Sequence, residues 1–193
     1  MSIFQEVTLV LVCYNSEELI KKNLSEIKKF KTIIIDNSNS IKTYNLIKDF
    51  SNVLYLKNLK NIGYGMANNL GVNHVTTPYI MILNPDILIN SVSINSLYKA
   101  FFEYDNIGIL VPSLYDKCNN RRTNGSISHI KKNKYSNKML FKENNLAVGN
   151  TCYDFAIGCA FFMKKNFFQS IGGFSNNFFM YFEDNELCDR VYE

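Results

Sequence analysis

The chain has 193 residues, 47% of them apolar, and a formal net charge of +4, totals that suit one globular domain. No run of about 18 apolar residues is present, so no membrane span is expected. The Lys residues, densest at 21–31 and 131–138, read as solvated faces with a modest bias toward anionic partners, and no zinc-finger, RNP-like or arginine-rich pattern points to nucleic acid. Five cysteines, Cys13, Cys118, Cys152, Cys159 and Cys188, form no CxxC pair and read as reduced thiols of a cytosolic protein.

The N-terminus, MSIFQEVTLVLVCYN, lacks a basic segment and reads as a buried first strand, not a signal peptide. The continuous apolar run at 7–12 predicts a strand covered on both faces. Residues 17–30 follow as a helix with Ser16 as N-cap and Ile20, Leu24 and Ile27 on one face. A second strand is predicted over 32–35, a short helix over 41–50, a third strand over 53–56 and a helix over 64–75. The run YIMIL at 79–83 predicts a fourth strand, 91–104 a helix and 107–111 a fifth strand. Residues 115–150, rich in Asn, Lys and Ser, read as a mobile loop or lid with one short helix. Order returns with a strand over 154–163 interrupted by Gly158, then a short helix near 165–171. Alternating strands and helices predict an α/β fold with a largely parallel sheet, and ligands of such sheets sit at the carboxyl ends of the strands. Without a repeat or a Pro- or Gly-rich linker, 1–193 reads as one domain.

The polar motifs begin where the apolar strands stop. Asp36 closes the second strand, where a carboxylate can accept from a ribose or base or cap a turn with Ser38; position alone leaves the two level. In NIGYGMANNLG (61–71) the small residues at 63, 65, 67 and 71 allow a close approach, either of a ligand to backbone N–H groups or of a helix to its sheet. Asn84-Pro85-Asp86 follows the fourth strand, where Asp86 is placed to serve a divalent cation on a diphosphate or to end a Pro-containing turn. In FFMYFEDNELCDR (178–190), Glu183, Asp184 and Glu186 follow an aromatic run. An apolar wall beside crowded carboxylates raises a pKa and makes a general base. The same acids also suit the first turn of a helix, with Glu186 paired to Arg190 four residues on. His74 and His129 are isolated and read as surface or core residues. No GxSxG or Cys-His arrangement is present.

Taken together and in order, Tyr14-Asn15, IIIDNSNS (33–40), NIGYGMANNLG (61–71), Leu83 to Asp86 and GGFSNNFFMYFEDNELCDR (172–190) resemble the family 2 glycosyltransferases with a GT-A fold, and within them the bacterial rhamnosyltransferase-like branch. The resemblance implies a nucleotide-sugar across the carboxyl end of the sheet, dTDP- or UDP-linked. It implies donor contacts from Tyr14, Asn15, Asp36, Asn61, Gly63, Asn68, Asn84 and Asp86, with Mg²⁺ or Mn²⁺ held by Asp86. Asp184 matches the base that removes the acceptor proton in a single inverting displacement, and Glu183 and Glu186 lie on the acceptor side. On this reading 1–111 is the nucleotide-sugar-binding half and 112–193 the acceptor-side half. The expected acceptor is a glycan or lipid-linked saccharide in cell-surface polysaccharide synthesis such as that of lipopolysaccharide. The expected place is the cytoplasm, with peripheral contact at the inner face of the membrane.

The sequence departs from the family pattern at Asn84, Ser175-Asn176 and Glu186, which replace acidic residues or change their length, and the family pattern continues beyond residue 193. An expectation of a shortened chain follows, with a nucleotide-binding but inactive paralogue as the alternative. A nucleotidyltransferase is disfavoured because the first loop, CYNSEE, is acidic and lacks glycine.

Overall fold

The computed structural model describes residues 2–104, 106–118, 120–122, 125–126, 153 and 155–192. In chain order the elements are α1 (Ile3–Glu6), β1 (Val7–Cys13), α2 (Glu17–Ile27), β2 (Lys31–Asp36), α3 (Lys42–Ile47), β3 (Val53–Lys57), α4 (Tyr64–Asn73), β4 (Tyr79–Leu83) and α5 (Ser91–Glu103). Then follow β5 (Leu114–Tyr115), β6 (Arg121–Arg122), β7 (Gly125–Ser126), β8 (Phe155–Ala156), β9 (Ala160–Lys164), α6 (Lys165–Ser170) and α7 (Glu183–Tyr192). The main sheet runs β3-β2-β1-β4-β9. Its first four strands are parallel and β9 is antiparallel to β4.

All seven residues of β1 are buried, because the alternating side chains of a sheet covered on both faces go into two cores. Leu9, Leu11 and Cys13 join Ile34, Met81 and Phe162 under α2 and α5. Val10 and Val12 join Ile33, Ile35, Ile82 and Phe161 under α4, α6 and α7. Each fully buried Leu, Ile or Phe contributes about 1.5–3 kcal/mol of transfer free energy, so the strands hold the frame on which the site is built.

The register decides where the polar motifs meet. Cys13 pairs with Asp36 across β1 and β2, Leu11 pairs with Leu83 across β1 and β4, and Leu83 pairs with Ala160 across β4 and β9. The ends of β1, β2 and β4 therefore share one edge with the start of β9. The antiparallel sense of β9 brings Gly158 and Cys159 to that same edge.

Several expectations are corrected. Residues 107–111 do not form a parallel fifth strand. The place beside β4 is taken by β9, and Leu110 makes one antiparallel bridge to the outer side of Phe162. Helix α2 ends at Ile27, not residue 30, because Lys28 caps it and the chain must turn into β2. Ser16 does not cap α2 with its side chain; its hydroxyl exchanges hydrogen bonds with the Tyr14 backbone at 3.1 and 3.2 Å. Helix α3 covers only Lys42–Ile47 of the expected 41–50. Helix α7 has 10 residues, nearly three turns. Of the expected lid at 115–150, β5, β6 and β7 are short antiparallel pieces, and 119, 123–124 and 127–150 lie outside the described residues.

Candidate active site

The loop after β2 is held from within. Asp36 is 0% exposed. Its Oδ1 accepts from the Ser38 backbone N–H at 2.8 Å, and its Oδ2 accepts from the Tyr55 hydroxyl at 2.8 Å. The carboxylate shapes the loop, as the turn-capping reading describes. Burial and then Asp36 push the Tyr55 hydroxyl and the Cys13 thiol above their ordinary ranges. Asn37, next in the loop, donates to the Gly63 carbonyl at 3.2 Å and accepts from Asn58 at 2.7 Å.

That bond joins the loop to the start of α4. Asn61 Oδ1 accepts from the Gly63 N–H at 2.9 Å. Gly63 has φ +85°, and a side chain there would collide with the Phe179 carbonyl, so both conformation and space require glycine. The Tyr64 N–H donates to Phe179 O at 3.0 Å. This first-turn donor is therefore spent on protein. Asn68 is fully buried and donates to Tyr64 O at 3.1 Å. It faces the helix and its packing, not the open edge. Asn69, which sequence reasoning passed over, clamps Phe174 with one bond to its carbonyl at 2.7 Å and one from its N–H at 2.9 Å.

At the end of β4 the Asn84 N–H donates to Cys159 O at 2.8 Å, and Ile87 N–H closes a turn on Asn84 O at 3.1 Å. Asn23 of α2 donates to the carbonyls of Pro85 and Ile87 at 3.2 and 3.0 Å. It too was missed, although an Asn three residues after Ile20 and four before Ile27 interrupts an apolar helix face. Held this way, Asp86 is exposed, while Asn84 Oδ1 is buried without a partner among the described residues.

A cavity of about 190 Å³ opens at this edge, lined by Val12, Cys13, Tyr14, Ser16, Leu19, Asn37, Asn61, Tyr64, Asn84, Pro85, Asp86 and Met180. Of the expected donor-site residues, Tyr14, Asn61, Asn84 and Asp86 line it. Asn15, exposed at φ +49°, does not; nor do Asp36, Gly63 and Asn68. Among the described residues no three His, Cys, Asp or Glu side chains gather into a metal cage. One exposed carboxylate beside an orphaned amide oxygen nevertheless fits a cation that takes its remaining ligands from substrate phosphates and water.

The acids stand at the start of α7. Asp184 is half-buried; its Oδ2 accepts from the Gly158 N–H at 2.9 Å and its Oδ1 from the Asn185 N–H at 2.9 Å. Both Asp86 and Asp184 act on Cys159: burial, then Asp86, then Asp184 push its thiol up to about 11. Glu183 is 5% exposed, with Oε2 unpartnered among the described residues, and burial followed by Asp184 holds its carboxyl above the ordinary range.

Glu186 is tied to the helix itself. It forms a two-pronged pair with Arg190 at 2.6 and 2.7 Å, as the helical spacing allowed, and Arg190 also donates to the carbonyls of Ile171 and Gly173. The aromatic wall is corrected. Phe179, Met180, Tyr181 and Phe182 are exposed, and Tyr181 and Phe182 both adopt left-handed backbone, φ +69° and +68°. The buried acid of the group, with its carboxyl raised by burial, is Glu183.

The sequence pattern described as "Glycosyl transferase family 2" matches residues 8–171. The chain is similar to the low-salt glycan biosynthesis hexosyltransferase Agl10 of Haloferax volcanii, 26% identical over 98% of this chain and 62% of Agl10. It is also similar to the rhamnosyltransferase WbbL of Escherichia coli, 23% identical over 96% of this chain and 76% of WbbL. The chain thus spans less than two thirds of the length of Agl10. Among solved structures it resembles S. aureus TarS, with TM-score 0.69, 16% identity and coverage of 97% of this chain and 33% of TarS. It also resembles the mannosyltransferase PcManGT from Pyrobaculum calidifontis in complex with GDP-Man and Mn²⁺, with TM-score 0.66, 13% identity and coverage of 96% and 51%. These likenesses show the fold, GT-A with a mostly parallel central sheet.

Proposed function

The chain belongs to glycosyl transferase family 2, and we propose that it moves a sugar from a nucleoside-diphosphate donor to a glycan or lipid-linked saccharide with inversion at the anomeric carbon, in cell-surface polysaccharide synthesis. One observation carries the proposal: Tyr14, Asn61, Asn84 and Asp86, from three separate strand ends and loops, line one cavity, and Asp184 is held at the same edge by Gly158.

In this reading the donor lies in the cavity, with Tyr14 and Asn61 against it. Asn15 and Gly63 shape its rim, while Asp36 and Asn68 act from behind by holding the loop and helix that bear the lining. Asp86 and the orphaned Asn84 Oδ1 would hold Mg²⁺ or Mn²⁺. When bound, the cation supplies charge neutralisation of the departing diphosphate. The presence of Mn²⁺ with GDP-Man in the PcManGT structure supports this choice.

Asp184 takes the proton of the acceptor hydroxyl. The hydroxyl oxygen forms its bond to the anomeric carbon as the bond from that carbon to the diphosphate oxygen breaks, and the electron pair leaves with the nucleoside diphosphate. General-base assistance of this kind contributes about 10²–10⁴-fold. Glu183, at the same helix end, is buried with its carboxyl raised above the ordinary range, which disfavours a second charge beside the base.

Residues 1–111 serve as the donor half. Residues 112–193 supply Met180 to the cavity and Asp184 to the acceptor. Rhamnose from a dTDP donor stands first in the reading because of the likeness to WbbL. Among the described residues no helix is long and apolar enough to cross a membrane. Action in the cytoplasm with peripheral contact at the inner membrane face is part of the same proposal, since nucleotide-sugars and lipid-linked saccharides meet there. The test is calorimetric binding and turnover of dTDP-rhamnose, UDP-glucose, UDP-galactose and GDP-mannose with Mn²⁺. At least one donor binds and releases nucleoside diphosphate; no binding of any donor at millimolar concentration overturns the proposal.

A further inference from the structure

We propose that Tyr64 is a positioning residue for Asp184 and acts on it through the backbone of Gly158; the inference rests on Asp184 being the base described above. Asp184 has little side-chain packing ahead of it, because Phe179, Met180, Tyr181 and Phe182 are all exposed. Two consecutive bulky residues in left-handed backbone, Tyr181 and Phe182, are strained unless their surroundings enforce them. Something outside the segment must therefore fix where α7 begins.

Gly158 and Tyr64 do this together. The Gly158 N–H donates to Asp184 Oδ2 at 2.9 Å, and the Gly158 carbonyl accepts from the Tyr64 hydroxyl at 2.7 Å. The donor and the acceptor of one residue are thus taken by the base and by the phenol. The turn lies directly against α7: a side chain at Gly158 would sit 2.8 Å from Asp184 Cβ, closer than van der Waals contact allows. Tyr64 also holds the approach from the other side, through its N–H to Phe179 O at 3.0 Å. It therefore grips the chain both before and opposite the acid.

The ring of Tyr64 is placed independently of its hydroxyl. It meets Phe174 edge-on, with centroids 6.0 Å apart, and Asn69 clamps Phe174. The hydroxyl is free to serve as a hydrogen-bond donor, since burial, opposed by the Asn68 amide and reinforced by Cys159, Glu183 and Asp184, keeps it protonated. Tyr64 also lines the cavity beside Asn84 and Asp86. The residue that borders the donor thus sets the geometry of the base.

Tyr64→Phe removes the hydroxyl and keeps the ring. With UDP-glucose, dTDP-rhamnose and GDP-mannose in Mn²⁺, kcat for nucleoside diphosphate release falls about 5–30-fold, the weight of one hydrogen bond, while donor affinity by calorimetry is unchanged. In an Asp184→Asn background the same substitution has no further effect, because nothing remains to be positioned. Amide exchange at Gly158 becomes about tenfold faster, while the amides of α4 keep their protection. Gly158→Ala, which pushes the turn off Asp184, lowers kcat at least as far. The inference is overturned by an equal loss in both backgrounds, by unchanged exchange at Gly158, or by wild-type turnover in Gly158→Ala. A fully active Asp184→Asn enzyme overturns the proposed base as well and so marks failure at the earlier step.

Discussion

The two sides of the cavity are built differently. The donor side stands on the carboxyl ends of β1, β2 and β4, where parallel ladders and two buried cores hold the backbone. The acid side hangs from an exposed segment at 179–182 and is tied down by individual hydrogen bonds: Tyr64 to Phe179 and Gly158, Gly158 to Asp184, Asn69 to Phe174, and Arg190 to Ile171 and Gly173. A cavity that must admit two substrates can be rigid toward one and adjustable toward the other. Substitutions should therefore divide by side, the donor side losing binding and the acid side losing turnover.

The largest effect is expected at Asp184. Asp184→Asn keeps the size and the acceptor for the Gly158 N–H but cannot take a proton, so kcat falls about 10²–10⁴-fold with the fold intact by circular dichroism. A smaller effect follows at the anchor of α7. Arg190→Ala leaves the Glu186 carboxylate and two backbone carbonyls without their donor, and thermal or urea unfolding should show a loss of about 1–3 kcal/mol.

The smallest effect is in pH dependence. Glu183 has its folded-state pKa raised by burial above the ordinary value of 4.5. The unfolded chain therefore releases this proton first as pH rises. Glu183 favours the native state fully below 4.5 and loses that contribution as pH climbs through the raised value. Glu183→Gln removes the titration, so the variant gains on the wild type in unfolding experiments as pH rises above 4.5 through the raised value and shows no gain below 4.5.

The donor side was the more legible in the sequence, for a physical reason. A buried parallel strand writes itself as an unbroken apolar run, so Tyr79–Leu83 matches its predicted span, and the polar residue after the run must stand at the edge where ligands bind. Direction and cross-strand partners leave no such trace. The apolar residues of β9 do not say that it runs antiparallel and takes the place expected for 107–111. Nothing in Asp36 announces Tyr55, 19 positions away.

On the acid side the i,i+4 pairing of Glu186 with Arg190 was readable as an option and is what the helix makes. The aromatic run misled. Apolar content predicts burial only where packing exists to receive it, and here the run spans a left-handed bend in the open. Asn23 on the apolar face of α2 carried a signal that could have been used. Asn69 and Gly158 act through contacts with residues 105 and 26 positions away, which no local pattern encodes.

The division between the two sides is tested most directly by calorimetric titration of the donor panel, with and without Mn²⁺, into the wild type, Asp86→Asn and Asp184→Asn. The account predicts Mn²⁺-dependent donor binding in the wild type and in Asp184→Asn at equal affinity. In Asp86→Asn binding should be at least about tenfold weaker, the loss of one charged contact. Equal affinity in Asp86→Asn, or binding lost in Asp184→Asn with Asp86→Asn unaffected, would contradict it.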